Sequence, residues 1–310
     1  MKICFYGVGG VGGYFGALVG NHFKDEHEIY FVARGSHKEA ICAEGLILKK
    51  DGVETEINFS PDLCTDNPAS LPICDIIVLS VKAYDLPNAA REIANIAHDK
   101  TIILPLLNGV DIYERIREQL KIGIVLPSCV YVGTHIERPG VIYQRGGSCK
   151  IFMGNDPAHP ALYPEALVKI LDASEIDFSW EKDVNISIWS KYIFIAAFGL
   201  VTATFEKTLG QVLDSPELSR LTKAIMQEVE ALARRTEISL STDIVDASFN
   251  KAHQFPPETK TSFQRDVESK GKVNEMDLFG GTIIRLSDQY DIPVPQTRHV
   301  YDIFMNKFQS

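Results

Sequence analysis

The sequence predicts an α/β chain: a parallel sheet flanked by helices through about residue 180, then an all-helical remainder. Three observations carry this. Short apolar runs alternate with amphipathic helical patterns in the first part, as a sheet buried on both faces requires. A glycine-rich turn joins the first strand directly to the first helix. Seventeen of the 22 glycines precede residue 181, and the pattern beyond Val184 is helical.

The elements follow in order. Ile3–Tyr6, Ile29–Val32, Ile76–Leu79 and Ile102–Leu106 read as strands, and Val11–His22, Lys38–Glu44, Pro87–Ala97 and Asp111–Leu120 as the helices among them. A more continuous β stretch covers Ile122–His135, Val141–Gln144 and Lys150–Met153, with a turn at Pro139-Gly140. A helix near Ala161–Leu171 and a strand at Ile176–Trp180 close this part. Ser215-Pro216-Glu217 is a helix start: a hydroxyl cap, proline at the first helical position and an acid in the first turn. Leu221, Ile225, Val229 and Leu232 mark one buried face, and Met276, Phe279, Ile283 and Tyr290 another. Pro293 and Pro295 separate that helix from a last one near Arg298–Phe308. The expected domains are residues 1–182 and 183–310.

Length supports two domains, since 310 residues exceed one ordinary core. With 45% apolar and 23% charged residues the chain is neither disordered nor a disulfide scaffold. A net charge of −10 argues against a nucleic-acid partner, which needs a positive field. Cys4, Cys42, Cys64, Cys74, Cys129 and Cys149 show no CxxC or metal-ligand spacing, so no metal is expected and reduced, buried thiols are. Cys4 and Cys74 lie in runs that read as strands. The N-terminus reads as a strand rather than a secretory signal. No apolar stretch reads as approaching the ~20 residues of a membrane span. A cytoplasmic protein with no membrane partner is the expectation.

Gly7-Val8-Gly9-Gly10-Val11-Gly12 fits G-x-G-x-x-G between a strand and a helix. Gly7 permits the tight turn, Gly9 lets the backbone approach a pyrophosphate, and Gly12 lets helix and sheet close up. The helix N-terminus presents N–H groups and a positive dipole end to the anion. Gly12, Gly16 and Gly20 leave a smooth stripe for packing. The second strand ends in Ala33-Arg34-Gly35-Ser36-His37-Lys38, with no acid for a ribose 2′-hydroxyl. Arg34 offers a planar cation suited to a 2′-phosphate, and Ser36, His37 or Lys38 further donors. The expected cofactor is therefore NADPH; the bland alternative is a solvated surface arginine.

These features, with Gly45-Leu46, Ser80-Val81-Lys82-Ala83, Leu107-Asn108-Gly109, Pro139-Gly140-Val141, Trp189-Ser190-Lys191, Ser262-Phe263-Gln264-Arg265-Asp266 and Asn274-Glu275-Met276-Asp277, make the sequence resemble the ketopantoate reductases over nearly its whole length. The resemblance implies a Rossmann-type domain followed by an all-α domain like the 6-phosphogluconate dehydrogenase C-terminal domain. It implies NADPH-dependent reduction of 2-dehydropantoate to (R)-pantoate in pantothenate biosynthesis. It places Lys82 and Asn108 on the cofactor side, Lys191 as the catalytic lysine, and Asn108, Ser262 and Glu275 around the substrate. Read separately, Lys82 and Lys191 are surface cations, Asn108-Gly109 a turn and Ser262 a helix cap.

In the implied reaction Lys191 polarises the carbonyl and donates the proton, while Glu275 orients the lysine or accepts a hydrogen bond from the nascent hydroxyl. One turn and two turns after Lys191, where the family carries asparagines, stand Ile195 and Gly199. Two acceptors stay open, 2-dehydropantoate and another 2-oxo acid fitting a more apolar pocket. An NADPH-sensing protein without catalysis would keep Gly7, Gly9, Gly12 and Arg34 but need no Lys191. Phe194, Phe198 and Phe205 read as core, His135 as a structural histidine, and Lys270-Gly271-Lys272 as a loop face. Helical second domains of this kind often self-associate, so a homodimer is also expected.

Overall fold

A computed structural model describes residues 1–270 and 274–308. The first of two compact units holds residues 1–108 and 112–184; the second holds 109–111 and 185–310. The first runs β1 (Lys2–Tyr6), α1 (Gly10–Phe23), β2 (Glu28–Val32), α2 (Gly35–Glu44), β3 (Leu46–Lys50), β4 (Ile57–Phe59), β5 (Leu63–Thr65), β6 (Ile76–Leu79), α3 (Leu86–Ile93), β7 (Ile102–Pro105) and α4 (Ile112–Gln119). It continues through β8 (Ile124–Val125), β9 (Ser128–Tyr131), β10 (Thr134–Arg138), β11 (Val141–Gln144), β12 (Lys150–Gly154), α5 (Glu165–Ala173) and β13 (Phe178–Glu181).

Six strands form one sheet in the order β5-β2-β1-β6-β7-β8, every pairing parallel. The strands β1, β6 and β7 are apolar because both faces are covered. Phe5, Phe15, Phe31, Val78 and Leu104 form its core with Ile151, Leu167 and Ile170. A mixed sheet, β10-β11-β3-β4, and a third, β13-β12-β9, complete the unit.

Several boundaries move for local reasons. The third helix stops at Ile93 because the Ile96 carbonyl turns to accept the Cys74 N–H at 2.8 Å. Cys74 therefore precedes β6 rather than lying in a strand. Pro164 stands at the N-cap of α5 and delays that helix. The long β stretch splits at Pro127 and Gly133. Pairing with β12 places β13 at Phe178–Glu181. Strands β3, β4 and β5 carry no periodic signal. All six cysteines are free thiols, Cys42 exposed and Cys149 half-buried, against the expectation that all are buried.

The helical unit comprises α6 (Asn185–Phe205), α7 (Leu209–Asp214), α8 (Pro216–Arg235), α9 (Ile244–Lys251), α10 (Ser262–Lys270), a π-helical turn Asp277–Gly281, α11 (Thr282–Tyr290) and α12 (Pro295–Phe308). Ser215 caps α8 through the Leu218 N–H, and Ile225, Val229 and Leu232 are buried. Pro295 opens α12 instead of separating two helices. Gly109–Asp111 joins this unit through the Thr282 hydroxyl, which donates to Asp111 at 3.1 Å. That contact leaves α4 to begin at Ile112. Contrary to the reading of apolar runs, α6 is long and apolar enough to cross a bilayer, with 21 residues and mean hydropathy 1.6. Its apolar window is 72% buried inside the protein, as a core helix requires.

A buried carboxylate ties the last helix down. Glu228 on α8 accepts hydrogen bonds from the Gln296 N–H at 2.7 Å, the Thr297 N–H at 2.9 Å and the Thr297 hydroxyl at 2.7 Å. It satisfies the orphan donors of the α12 N-terminus and meets its positive dipole end. Glu228→Ala strands three buried donors. Chemical denaturation should show a loss of about 3 kcal/mol, with Glu228→Gln recovering part of it.

Candidate active site

In the first unit the site begins where β1 ends. Gly7 adopts φ +95°, and its N–H and that of Val8 both donate to the Val32 carbonyl at 3.0 Å. The turn is thus pinned to β2. A side chain at Gly12 would overlap the Gly7 carbonyl and the Ser80 hydroxyl, so α1 can approach the sheet only with glycine there. Ser80 donates to the same carbonyl at 2.9 Å, a strand-to-turn tie that the sequence did not reveal. Farther along, Gly16 and Gly20 abut the rings of Phe31 and Phe59.

Gly9 differs: a Cβ there meets nothing within 4 Å. It is the N-cap of α1 and offers no side-chain cap. The turn therefore leaves space and a positive helix end in the same place, which fits a pyrophosphate. Gly10 faces Thr134, whose hydroxyl is buried with no hydrogen-bond partner among the described residues. An orphan polar atom beside the turn suits the same group, and Thr134 was missed because only the tertiary fold brings it there.

Arg34 is the N-cap of α2, exposed, and forms an ion pair with Asp85, which follows Lys82 on the turn after β6. The hydrogen bond that Arg34 donates to Asp85 holds the guanidinium above its ordinary pKa. No acid follows β2 in sequence, yet the fold supplies one to Arg34. Lys38 is likewise paired, with Asp66 at 2.9 Å. His37 is a different case. Its ring is buried and its Nδ1 accepts the Gly140 N–H at 3.0 Å. Burial pushes its pKa below 6.5, so the ring is neutral and fastens α2 to the turn before β11 rather than adding a cation. Lys82 and Asn108 are half-buried after the carboxyl ends of β6 and β7, where ligands of such sheets gather. Gly109 turns at φ +123°.

The helical unit carries the other candidate residues. Lys191 is half-buried on α6. Its neighbour Tyr192 is buried and donates to the Leu278 carbonyl at 2.6 Å, holding α6 against the π-helical turn. Glu275, 5% exposed, lies two residues before that turn. The Asn274 side chain accepts the Met276 N–H at 2.9 Å and shapes the backbone at Glu275. Ser262 is exposed at the start of α10. It is not the cap: Thr261 is, accepting the Gln264 N–H at 3.2 Å and bonding the Thr202 hydroxyl at 2.9 Å. The structure thus gathers the glycine turn, Arg34 and the Lys82 segment in one unit, and Lys191 and the Glu275 segment in the other.

The apolar positions on α6 are filled unequally. Gly199 is covered by the buried Phe263, whose ring lies 3.7 Å from the place of a Cβ. Ile195 is half-buried. Phe198 is core as expected, but Phe194 is half-buried and stacks on Phe255. His135 is exposed beside Tyr143. Gly271 and Lys272 of the expected loop face lie outside the described residues, as does the Lys270 side chain. Among the described residues no group of three His, Cys, Asp or Glu side chains is arranged to hold a metal.

Comparison with known proteins agrees with this geometry. Residues 3–157 match the model of the ketopantoate reductase PanE/ApbA family, and residues 183–308 match that of its C-terminal domain. A 2-dehydropantoate 2-reductase of Mesorhizobium japonicum is 28% identical over 95% of this chain and 94% of that protein. The crystal structure of a PanE/ApbA family ketopantoate reductase from Ralstonia eutropha superposes with TM-score 0.88 at 25% identity, covering 99% of this chain and 98% of that one. A D-mandelate dehydrogenase in ternary complex with NADH and anilino(oxo)acetate shares the fold, with TM-score 0.85 at 18% identity over 99% of this chain and 98% of that one.

The His37 ring sets a pH dependence. The unfolded ring takes up a proton near pH 6.5 and the folded ring resists it, so the contribution is complete above 6.5 and is lost as pH falls below. His37→Asn keeps an acceptor for Gly140. Unfolding free energies from chemical denaturation between pH 7 and about 5 should then fall less steeply than in the parent, the difference approaching about 1.4 kcal/mol per pH unit.

Proposed function

Because the chain belongs to the ketopantoate reductase family, we propose that it reduces the carbonyl of a 2-oxo acid with NADPH, using Lys191 as the proton donor. 2-Dehydropantoate, named for relatives such as that of Mesorhizobium japonicum, is the first acceptor to assay, with (R)-pantoate as product. The observation that carries this reading is the glycine turn, sterically closed at Gly7 and Gly12 yet open at Gly9 before an uncapped helix. A structural role for the turn accounts for the closed positions and not for the open one.

A reduced nicotinamide held there would supply a hydride for C2 of the acid. The residues of the chain do the rest. The α1 N-terminus and Arg34 hold phosphate groups, and Lys82 and Asn108 position the ribose side. As negative charge grows on the carbonyl oxygen, the Lys191 ammonium stabilises it and then transfers a proton to it. The lysine recovers a proton from water. Glu275 orients the ammonium or accepts from the new hydroxyl, and Ser262 donates to the substrate carboxylate. The product is the 2-hydroxy acid.

Lys191→Ala should lower kcat with 2-dehydropantoate by about a thousandfold, the scale of one lost electrostatic and acid catalyst. Its Kd for NADPH, measured by fluorescence titration, should stay within about threefold. Near-normal turnover in that variant would refute the assignment.

Cofactor choice rests on Arg34, which a 2′-phosphate must win from Asp85. Arg34→Ala should weaken NADPH by about tenfold or more and NADH by less than about threefold, while Asp85→Asn strengthens NADPH. Equal losses for both cofactors on removing Arg34 would count against NADPH.

A further inference from the structure

In the two turns that follow Lys191 on its own face, α6 presents carbon rather than polar side-chain atoms. One turn on stands Ile195, and two turns on Gly199 is roofed by Phe263, 1% exposed and packed on Phe279 and Phe304. The Phe263 ring fills that position, so no side-chain donor or acceptor reaches outward from it. On the other flank, Phe194 sits three residues from Lys191, which puts the two side chains side by side on the helix. Its ring stacks on Phe255 with centroids 5.9 Å apart and planes at 21°. Phe255 is 39% exposed and Phe194 half-buried, so the pair forms an apolar wall with one open side.

A second amine borders the wall. The Lys251 Nζ lies 5.9 Å from the centre of the Phe194 ring, and burial lowers its pKa. Two lysines thus flank a stacked aromatic pair. An anion with an apolar body matches that set: its charge is drawn by the amines, and its body covers rings that water now touches. A hydroxylated aliphatic chain matches it less well, because its hydroxyl would lie against Ile195 or the rings and lose water without gaining a partner.

On the reading above, which this inference rests on, we propose that the acceptor carries an aryl or similarly bulky apolar group on its carbonyl carbon. Phe194 and Phe255 are the specificity-determining residues that seat this group beside Lys191. An apolar wall of this kind discriminates by roughly tenfold to a hundredfold.

The test is steady-state kinetics of the full chain, with saturating NADPH, on phenylglyoxylate, 2-dehydropantoate and pyruvate. The expected kcat/KM for phenylglyoxylate exceeds that for 2-dehydropantoate by about tenfold or more. The ratio of phenylglyoxylate to pyruvate should fall about tenfold in Phe194→Ala and in Phe255→Ala, and recover in Phe194→Leu. Phe255 is exposed, so its variant keeps the test valid should Phe194→Ala fold poorly. A preference for 2-dehydropantoate, or an unchanged ratio in the Phe255 variant, overturns the proposal and leaves the reductase reading intact. No reduction of any of the three acids, with NADPH or NADH, overturns both.

Discussion

One steric constraint organises the first unit: the start of α1 must lie against the ends of β1 and β6. At Gly12 the clearance is filled by the Gly7 carbonyl and the Ser80 hydroxyl, so any side chain would push the helix off the sheet. That closeness aims the first-turn N–H groups at the space before Gly9. It also sets the seat of α1 against Phe31 and Phe59, which links the parallel sheet to the mixed one. Binding geometry and core packing are therefore the same requirement, met by glycines at four-residue spacing.

The helical unit has a comparable organising contact. Tyr192 is adjacent in sequence to Lys191 and is buried in the core, where it hydrogen-bonds the π-helical turn. The lysine thus stands on a helix whose buried face is clamped to the segment carrying Glu275. The π-helical turn widens the helix locally, and Tyr192 takes up the Leu278 carbonyl within it.

Much of this was legible in the sequence where a local rule applied. Strands β1, β2, β6 and β7 announced themselves as short apolar runs, and the glycine turn by its spacing. Ser215 and Pro216 marked the start of α8 by capping chemistry. What escaped depended on partners distant in the chain. Strands β3, β4 and β5 are three to five residues long and owe their form to neighbours in the sheets. Asp85 meets Arg34 across 51 positions, and Glu228 meets Thr297 across 69. Thr134 and Phe255 carry no motif at all. Thr261 rather than its neighbour Ser262 caps α10, and its hydroxyl also bonds that of Thr202.

The burial of α6 bears on how the polypeptide is made. This apolar rod packs against α8, α10 and α12, and α12 is the last of the described helices in chain order. During translation, the rod leaves the ribosome long before its last covering exists. Until residues up to 308 are synthesised, part of its greasy surface stays open to chaperones or to the insertion machinery that reads hydrophobic length. The helix that carries Lys191 is thus also a segment of the nascent chain open to misdirection.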